Sequence, residues 1–286
     1  MKQRIITALI ATCVLIPVLI WSDTFLLPLG IAACSVLAVF EMARCIGMHR
    51  AHTLTVPLYI IAAGAPFLVR YIGEPNTNAT KFLLLKCALA LSLGVLLYFF
   101  AVMTFSHGKY KVADVCILFA TVFYILLGFN GILVMRMHRY EGHLAYLTIF
   151  LGAWITDIFA YFCGVLFGRG GKHKLIPDVS PKKTVEGSIG GMTFCVLIMV
   201  GYGLICNHFL EQDASLWVFA LGGFIASIVS QVGDLLMSVI KRTYGIKDYG
   251  KIFPGHGGMI DRFDSIIAVS VSLMVFTSFF DFFAKG

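Results

Sequence analysis

Nine apolar segments take up most of this chain, too many and too long for the core of a soluble domain. They run at about residues 5–21, 26–43, 54–72, 82–105, 112–135, 145–167, 189–209, 216–240 and 265–283. A helix needs roughly 20 apolar residues to cross the hydrocarbon core of a bilayer, and each segment is that long or nearly so. The first is at the short limit, and the third is interrupted by Pro57, Pro66 and Arg70. Lipid offers no water to backbone N–H and C=O groups, so such spans must be helices that satisfy their own hydrogen bonds. A composition of 59% hydrophobic and only 13% charged residues agrees, as does a mean hydropathy of +0.90. The predicted fold is all-α: a polytopic integral membrane protein with about nine transmembrane helices.

The N-terminus, Met1-Lys2-Gln3-Arg4 before an apolar run, has the outline of a secretory signal. No small-x-small cleavage site stands at Trp21-Ser22-Asp23, and another apolar segment follows at once, so it reads as a retained first helix. With nine spans the loops alternate sides. Lys2, Arg4, Arg44, Arg50, Lys109, Lys111, Arg169, Lys172, Lys174, Lys182, Lys183, Lys241, Arg242, Lys247, Lys251 and Arg262 collect on the side of the N-terminus. The opposite side holds only Arg70, Lys81, Arg136, Arg139 and Lys285. Positive charge marks the cytoplasmic side. The expected placement is the cell membrane, with the N-terminus cytoplasmic and the C-terminus external. Trp21 and Trp217 then lie at the outer interface, where indoles are favoured.

The net charge of +7 is thus a topology signal, and with no recognised binding motif beside it nucleic acid is not an expected partner. Eight cysteines all fall within or at the end of apolar segments, without a Cys-x-x-Cys, and read as small buried hydrophobes.

Two regions differ in polarity. Residues 1–144 read as N-terminal scaffold helices with brief loops; Lys86 can snorkel, and Glu41 is placed to pair with Arg44 at i,i+3. Residues 145–286 read as a C-terminal catalytic region, because the spans become more polar and both long loops, 168–188 and 241–264, belong to it. Both loops are expected in the cytoplasm, where nucleotides are.

The densest charge lies between Gly233 and Asp264, with Asp234, Lys241, Arg242, Lys247, Asp248, Lys251, Asp261, Arg262 and Asp264. In the eighth span Ser227, Ser230, Gln231, Asp234, Ser238 and Lys241 follow at three- and four-residue steps and line one helix face. Serine and glutamine there can simply join helices. Asp234 is harder to explain that way, since a carboxylate inside a membrane segment is costly and marks a functional site by default. In the sixth span Asp157, Tyr161, Gly164 and Gly168 share a face, with small residues that permit close helix approach. Asp157 can be a metal ligand, a hydroxyl partner or the partner of a buried lysine. The loop Ser180-Pro181-Lys182-Lys183-Thr184-Val185-Glu186-Gly187 sets two lysines and two hydroxyls beside a turn before a helix, a combination suited to a triphosphate. In Pro254-Gly255-His256-Gly257-Gly258 the glycines relax steric limits and expose backbone N–H groups, as a phosphate-binding turn requires.

Ser238, Lys241-Arg242, Lys247-Asp248, Pro254-Gly255-His256-Gly257-Gly258, Asp261-Arg262 and Asp264 together closely resemble the signature of the phosphatidate cytidylyltransferases, or CDP-diacylglycerol synthases. The Ser180–Gly187 run and the Asp157–Arg169 run resemble further elements of that family, so the resemblance covers about 150–264. It implies a membrane nucleotidyltransferase that joins CTP and phosphatidate into CDP-diacylglycerol and pyrophosphate. On that reading Mg²⁺ sits on Asp234 and Asp261, with a second metal ion as an option. Lys182, Lys183, Lys241 and Arg242 offset phosphate charge, and Asp264 joins the catalytic set. Ser180, Thr184, Ser238, Lys247, Asp248, His256, Gly257, Gly258, Arg262 and Asp157 are the expected substrate contacts. A homodimer is compatible with the sequence but fixed by nothing in it.

A CTP-dependent polyprenol or lipid kinase is the nearest alternative, and would need a base such as His256 or Asp264. CDP-alcohol phosphotransferases fit badly, because no Asp-Gly dipeptide occurs. A transporter would explain buried aspartates but would spread polar residues through the bundle.

Overall fold

The structure, a computed structural model, describes residues 13–73, 78–138, 140–168, 173–255 and 257–283. Nine named helices and one hairpin occur among them: α1 (Leu26–Cys45), α2 (His52–Gly73), α3 (Asn78–Phe105), α4 (Val112–Arg136), α5 (Gly142–Ala145), α6 (Leu147–Phe167), β1 (Lys174–Ile176), β2 (Ser180–Thr184), α7 (Val185–Phe209), α8 (Leu216–Thr243) and α9 (Ile260–Phe276). The expected all-α, polytopic architecture is what the chain adopts. Seven helices are long and apolar enough to cross a membrane: α1, α2, α3, α4, α5 and α6 taken together, α7 and α8. The first expected span begins outside the described residues, and 13–20 are helical. The ninth is shorter than the sequence suggested, since α9 has 17 residues, about 25 Å at helical rise.

Pro57 and Pro66 lie inside α2 without ending it. Prolines are tolerated in membrane helices because neighbouring groups satisfy the freed carbonyls. The interrupting charge, Arg70, is accounted for as well: its guanidinium donates to the backbone carbonyls of Asp23 and Thr24.

The chain divides into two compact units, each described by itself. The first comprises residues 1–137 and 244–262; the second comprises 138–243 and 263–286. In the first unit α1 packs on α2 and α4, and α2 on α3 and α4. Its buried centre includes Ala38, Val39, Met42, Leu54, Leu58, Leu118, Ile125 and Phe129. Helix α3 keeps Leu85, Leu89, Leu93 and Leu97 exposed, as lipid contact requires.

The second unit is built on close crossings of α6, α7 and α8. Lipid tails are as apolar as leucine, so packing rather than hydrophobic transfer holds such helices together, and small residues let backbones approach. A Cβ on Gly191 would come within 2.8 Å of the Thr156 carbonyl, and one on Gly187 within 2.5 Å of the Ala160 carbonyl. One turn earlier on α6, a Cβ on Gly152 would stand 2.8 Å from the Ala226 methyl. The loop expected at 168–188 contains the antiparallel pair β1–β2, with Lys174 opposite Thr184 and Ile176 opposite Ser180. Thr184 ends β2 and caps α7, its side chain accepting the Gly187 N–H at 3.1 Å.

Candidate active site

Within the second unit the polar face of α8 divides into two parts. Ser227 and Gln231 belong to helix packing. The Ser188 hydroxyl on α7 donates to Gln231 Oε1 at 2.5 Å, and Gln231 Nε2 reaches the Ser188 carbonyl and Ser227 Oγ. One turn further on, the function changes. Asp234 Oδ2 stands 2.7 Å from Lys183 Nζ, and both side chains are about a quarter exposed. Ser238 Oγ lies 3.4 Å from Asp234 Oδ1. The sequence offered Asp234 no fixed counter-charge; the structure supplies one from β2.

That contact follows from the strand. Side chains on a strand alternate faces; along Ser180–Thr184, Lys182 is exposed while Lys183 is half-buried and Thr184 buried. The two lysines therefore point to different surroundings, and only Lys183 reaches Asp234. The Thr184 side chain also closes the α6 crossing, where a Cβ on Gly164 would lie 3.0 Å from Thr184 Oγ1.

Asp264 stands one turn into α9, before the apolar run 265–283 and outside the seven candidate spans. Its Oδ1 accepts the Ser265 N–H at 2.8 Å. Loss of solvent pushes its carboxyl up to about 7, and the charges of Asp234 and Asp157 add to the rise, offset by that N–H and by Lys241. Asp157, at the middle of α6, accepts from Ser265 Oγ at 3.2 Å, so a hydroxyl is among its partners. A carboxyl whose protonation is favoured by two neighbouring acids is a place where added positive charge is welcome. Lys241 is half-buried and Arg242 exposed at the end of α8.

The first unit carries the rest of the signature. Asp261 Oδ2 accepts the backbone N–H of Tyr249 at 2.7 Å and of Gly258 at 2.9 Å, tying the loop to the start of α9. Gly255 and Gly257 have positive φ, +80° and +87°, a region open to glycine. His256 lies outside the described residues. Lys247, Asp248 and Arg262 are exposed, Gly258 is buried and Gly257 half-buried. Asp234 belongs to one unit and Asp261 to the other, so the expected pair is described one residue at a time.

Among the described residues no group of three His, Cys, Asp or Glu side chains is placed to hold a metal ion. Mg²⁺ rarely uses such a group: it keeps several waters and takes one or two carboxylates plus substrate phosphates. The oxygen donors around Asp234 and Asp264 fit that chemistry.

Two groups escaped the sequence reading. Glu41 lies within electrostatic reach of Arg44, and its hydrogen bonds go further. Its carboxylate accepts the N–H groups of Met259 and Ile260, each at 2.9 Å, while Arg44 donates to the Tyr249 carbonyl. Tyr244 OH lies 3.0 Å from Asp114 Oδ1. Only the acid near the inner end of the second apolar segment hinted at the first of these; Asp114 left no signal.

Comparison with known proteins bears on both units. A family model described as the cytidylyltransferase family matches residues 2–280. The chain belongs to this cytidylyltransferase family. Among curated relatives, a protein of Staphylococcus saprophyticus named phosphatidate cytidylyltransferase is 35% identical over 269 residues, covering 94% of this chain and 96% of the relative. Proteins of the same name from Staphylococcus aureus and Staphylococcus haemolyticus are 34% and 33% identical over the same coverage. As a cytidylyltransferase with seven apolar helices, this is a multi-pass membrane nucleotidyltransferase.

Proposed function

We propose that this protein is a phosphatidate cytidylyltransferase, transferring CMP from CTP to phosphatidate with formation of CDP-diacylglycerol and pyrophosphate. The observation that carries the reading is the Lys183–Asp234 ion pair. It joins two motif elements far apart in a chain that aligns with its relatives almost end to end.

The phosphate of phosphatidate is already ionised near neutral pH, so its oxygen needs no general base to become a nucleophile. The obstacle is bringing two anionic groups together, and fixed charge is the efficient answer. Lys182, exposed on β2, and Lys241 with Arg242 at the end of α8 are assigned to substrate phosphates. Lys183 holds Asp234 in place until substrate arrives and then shares its charge with the nucleotide. The turn 254–258 supplies backbone N–H groups for the same purpose. Oxygen of phosphatidate attacks the α-phosphorus of CTP, the α–β bridging bond breaks, and pyrophosphate leaves with its electron pair. Mg²⁺ is the proposed cation, with Asp234 as ligand beside Asp264 and with Asp261 as the second ligand that the family resemblance implies; when bound it withdraws charge from the phosphates. The cytoplasmic side is assigned to this chemistry, with the N-terminus cytoplasmic and the C-terminus external.

Purified protein with CTP, phosphatidate and Mg²⁺ should yield CDP-lipid and pyrophosphate in equal amounts. Release of CDP with a phosphorylated polyprenol instead would replace this reading with a lipid kinase. The mass of the solubilised particle in the same preparation decides between monomer and homodimer.

A further inference from the structure

The first four helices look like lipid-facing scaffold, yet one turn of α1 grips the signature loop from both ends. Glu41 is 1% exposed. Its Oε1 accepts the Met259 N–H and its Oε2 the Ile260 N–H, each at 2.9 Å. These are N–H groups at the start of α9, for which that helix has no backbone carbonyl. Three residues along α1, Arg44 donates to the Tyr249 carbonyl, and the Tyr249 N–H is bound in turn by Asp261. The loop is shaped around the intruding carboxylate. A Cβ on Gly250 or on Gly258 would collide with Glu41 Oε1, and one on Gly250 would also lie 2.8 Å from Gly258 Cα. Glycine at both places makes room for an acid that arrives from more than two hundred residues away in sequence.

We infer that Glu41 is a positioning residue of the cytidylyltransferase site: it fixes the 249–260 loop, and with it Asp261 and the glycine turn, in the conformation that meets the nucleotide. The inference rests on the proposed function for its kinetic part only. A carboxylate that accepts two N–H groups holds both at once. Gln presents one acceptor oxygen and two unwanted N–H donors to the same place, and Asp is one methylene too short to reach. Either change leaves buried backbone groups without partners, and the loop then samples other conformations.

The test uses full-length Glu41→Gln and Glu41→Asp in detergent, with hydrogen–deuterium exchange as the readout that needs no activity. Amides of Tyr249, Gly258, Met259 and Ile260 should exchange at least ~10-fold faster, as expected for loss of a charge-assisted bond. Those of α7 and α8 should be unchanged. The concentration of CTP giving half-maximal rate should rise by a similar factor, while that of phosphatidate stays put. Gly250→Ala keeps Glu41 but displaces it, and should reproduce the effect. In Glu41→Ala the same glycine change should add less than it does in wild type, because the clash with the carboxylate is gone and only that with Gly258 Cα remains; that non-additivity is the mark of direct contact. Unchanged exchange at these amides overturns the clamp. Altered exchange with CTP half-saturation unchanged per folded molecule overturns the positioning role and leaves a structural one. A wild-type enzyme that makes no CDP-lipid refutes the function while the exchange result still decides the clamp.

Discussion

Lys183 and Asp234 are 2.7 Å apart and partly shielded from solvent, so neither charge is a spectator. Asp234→Asn should abolish turnover while the protein still inserts and folds, and near-normal activity at saturating Mg²⁺ would remove Asp234 from the metal site. The lysines of β2 should separate, since their side chains leave opposite faces. Lys183→Ala deletes a charge-assisted contact worth roughly 1.5–3 kcal/mol, on the order of ten- to a hundred-fold in kcat/KM. It also leaves Asp234 unbalanced, so its melting temperature should fall. Lys182→Ala should lower kcat/KM with the melting temperature unchanged. Arginine in place of either should rescue only partly, because a planar fork replaces a compact ammonium. If both alanine variants match wild type for both substrates, the strand is only a membrane-flanking basic segment.

Asp264 carries the pH dependence. Its carboxyl is raised from 3.8 to about 7. An acid with raised folded pKa contributes stability below its unfolded pKa and loses it as pH rises through the folded one. The metal-free protein should therefore lose melting temperature as pH climbs from about 4 to about 7, with no further loss from this group above that, and Mg²⁺ should restore it by neutralising the acids. Asp264→Asn should flatten the curve in both conditions. A wild-type curve that ignores Mg²⁺ at every pH would speak against a cation among these acids.

At the scale of elements, the crossing of α6 and α7 decides whether β2 meets α8. Gly187 follows the Thr184 cap by three residues and faces the Ala160 carbonyl. Gly187→Ala forces a Cβ against backbone, an overpacking that costs about 1–3 kcal/mol. Thermal unfolding in detergent should show it, and Thr184→Ala should show a smaller loss of about 1 kcal/mol through the lost cap. Equal stability of the glycine variant with wild type would mean that the crossing has slack. The helices themselves were legible because apolar runs of bilayer length admit little else. The hairpin was not: Ser180-Pro181-Lys182-Lys183-Thr184 is short, polar and opens on a proline, so its alternation has no apolar residues to reveal it. The face of Asp157, Tyr161, Gly164 and Gly168 reads as a helix-approach surface, and Gly164 does meet Thr184 and Gly187. The partner of Asp157, Ser265, lies 108 residues away and had no signal in spacing.

For the whole molecule, residues 1–144 read as scaffold because one acid near a helix end forms no motif. Folding makes its importance visible by bringing Glu41 to Met259 across 218 positions. The motif residues were legible because their chemistry is concentrated; their partners were not, since Glu41, Arg44 and Ser188 are ordinary residues in ordinary helices. The membrane orientation has a different basis, the imbalance of loop charge, and can be tested within a single helix. Helix α7 spans 25 residues between exposed Asp178 in the hairpin turn and exposed Glu211 beyond its end. At 1.5 Å per residue it is about 37 Å long, enough to put those positions on opposite sides. In a background lacking the eight native cysteines, Asp178→Cys should react with an impermeant thiol reagent only after the cell is opened. Glu211→Cys should react in intact cells. Reaction of both from the same side would break the alternation on which the whole topology rests, and the reverse pattern would place the nucleotide site outside, where no CTP is available.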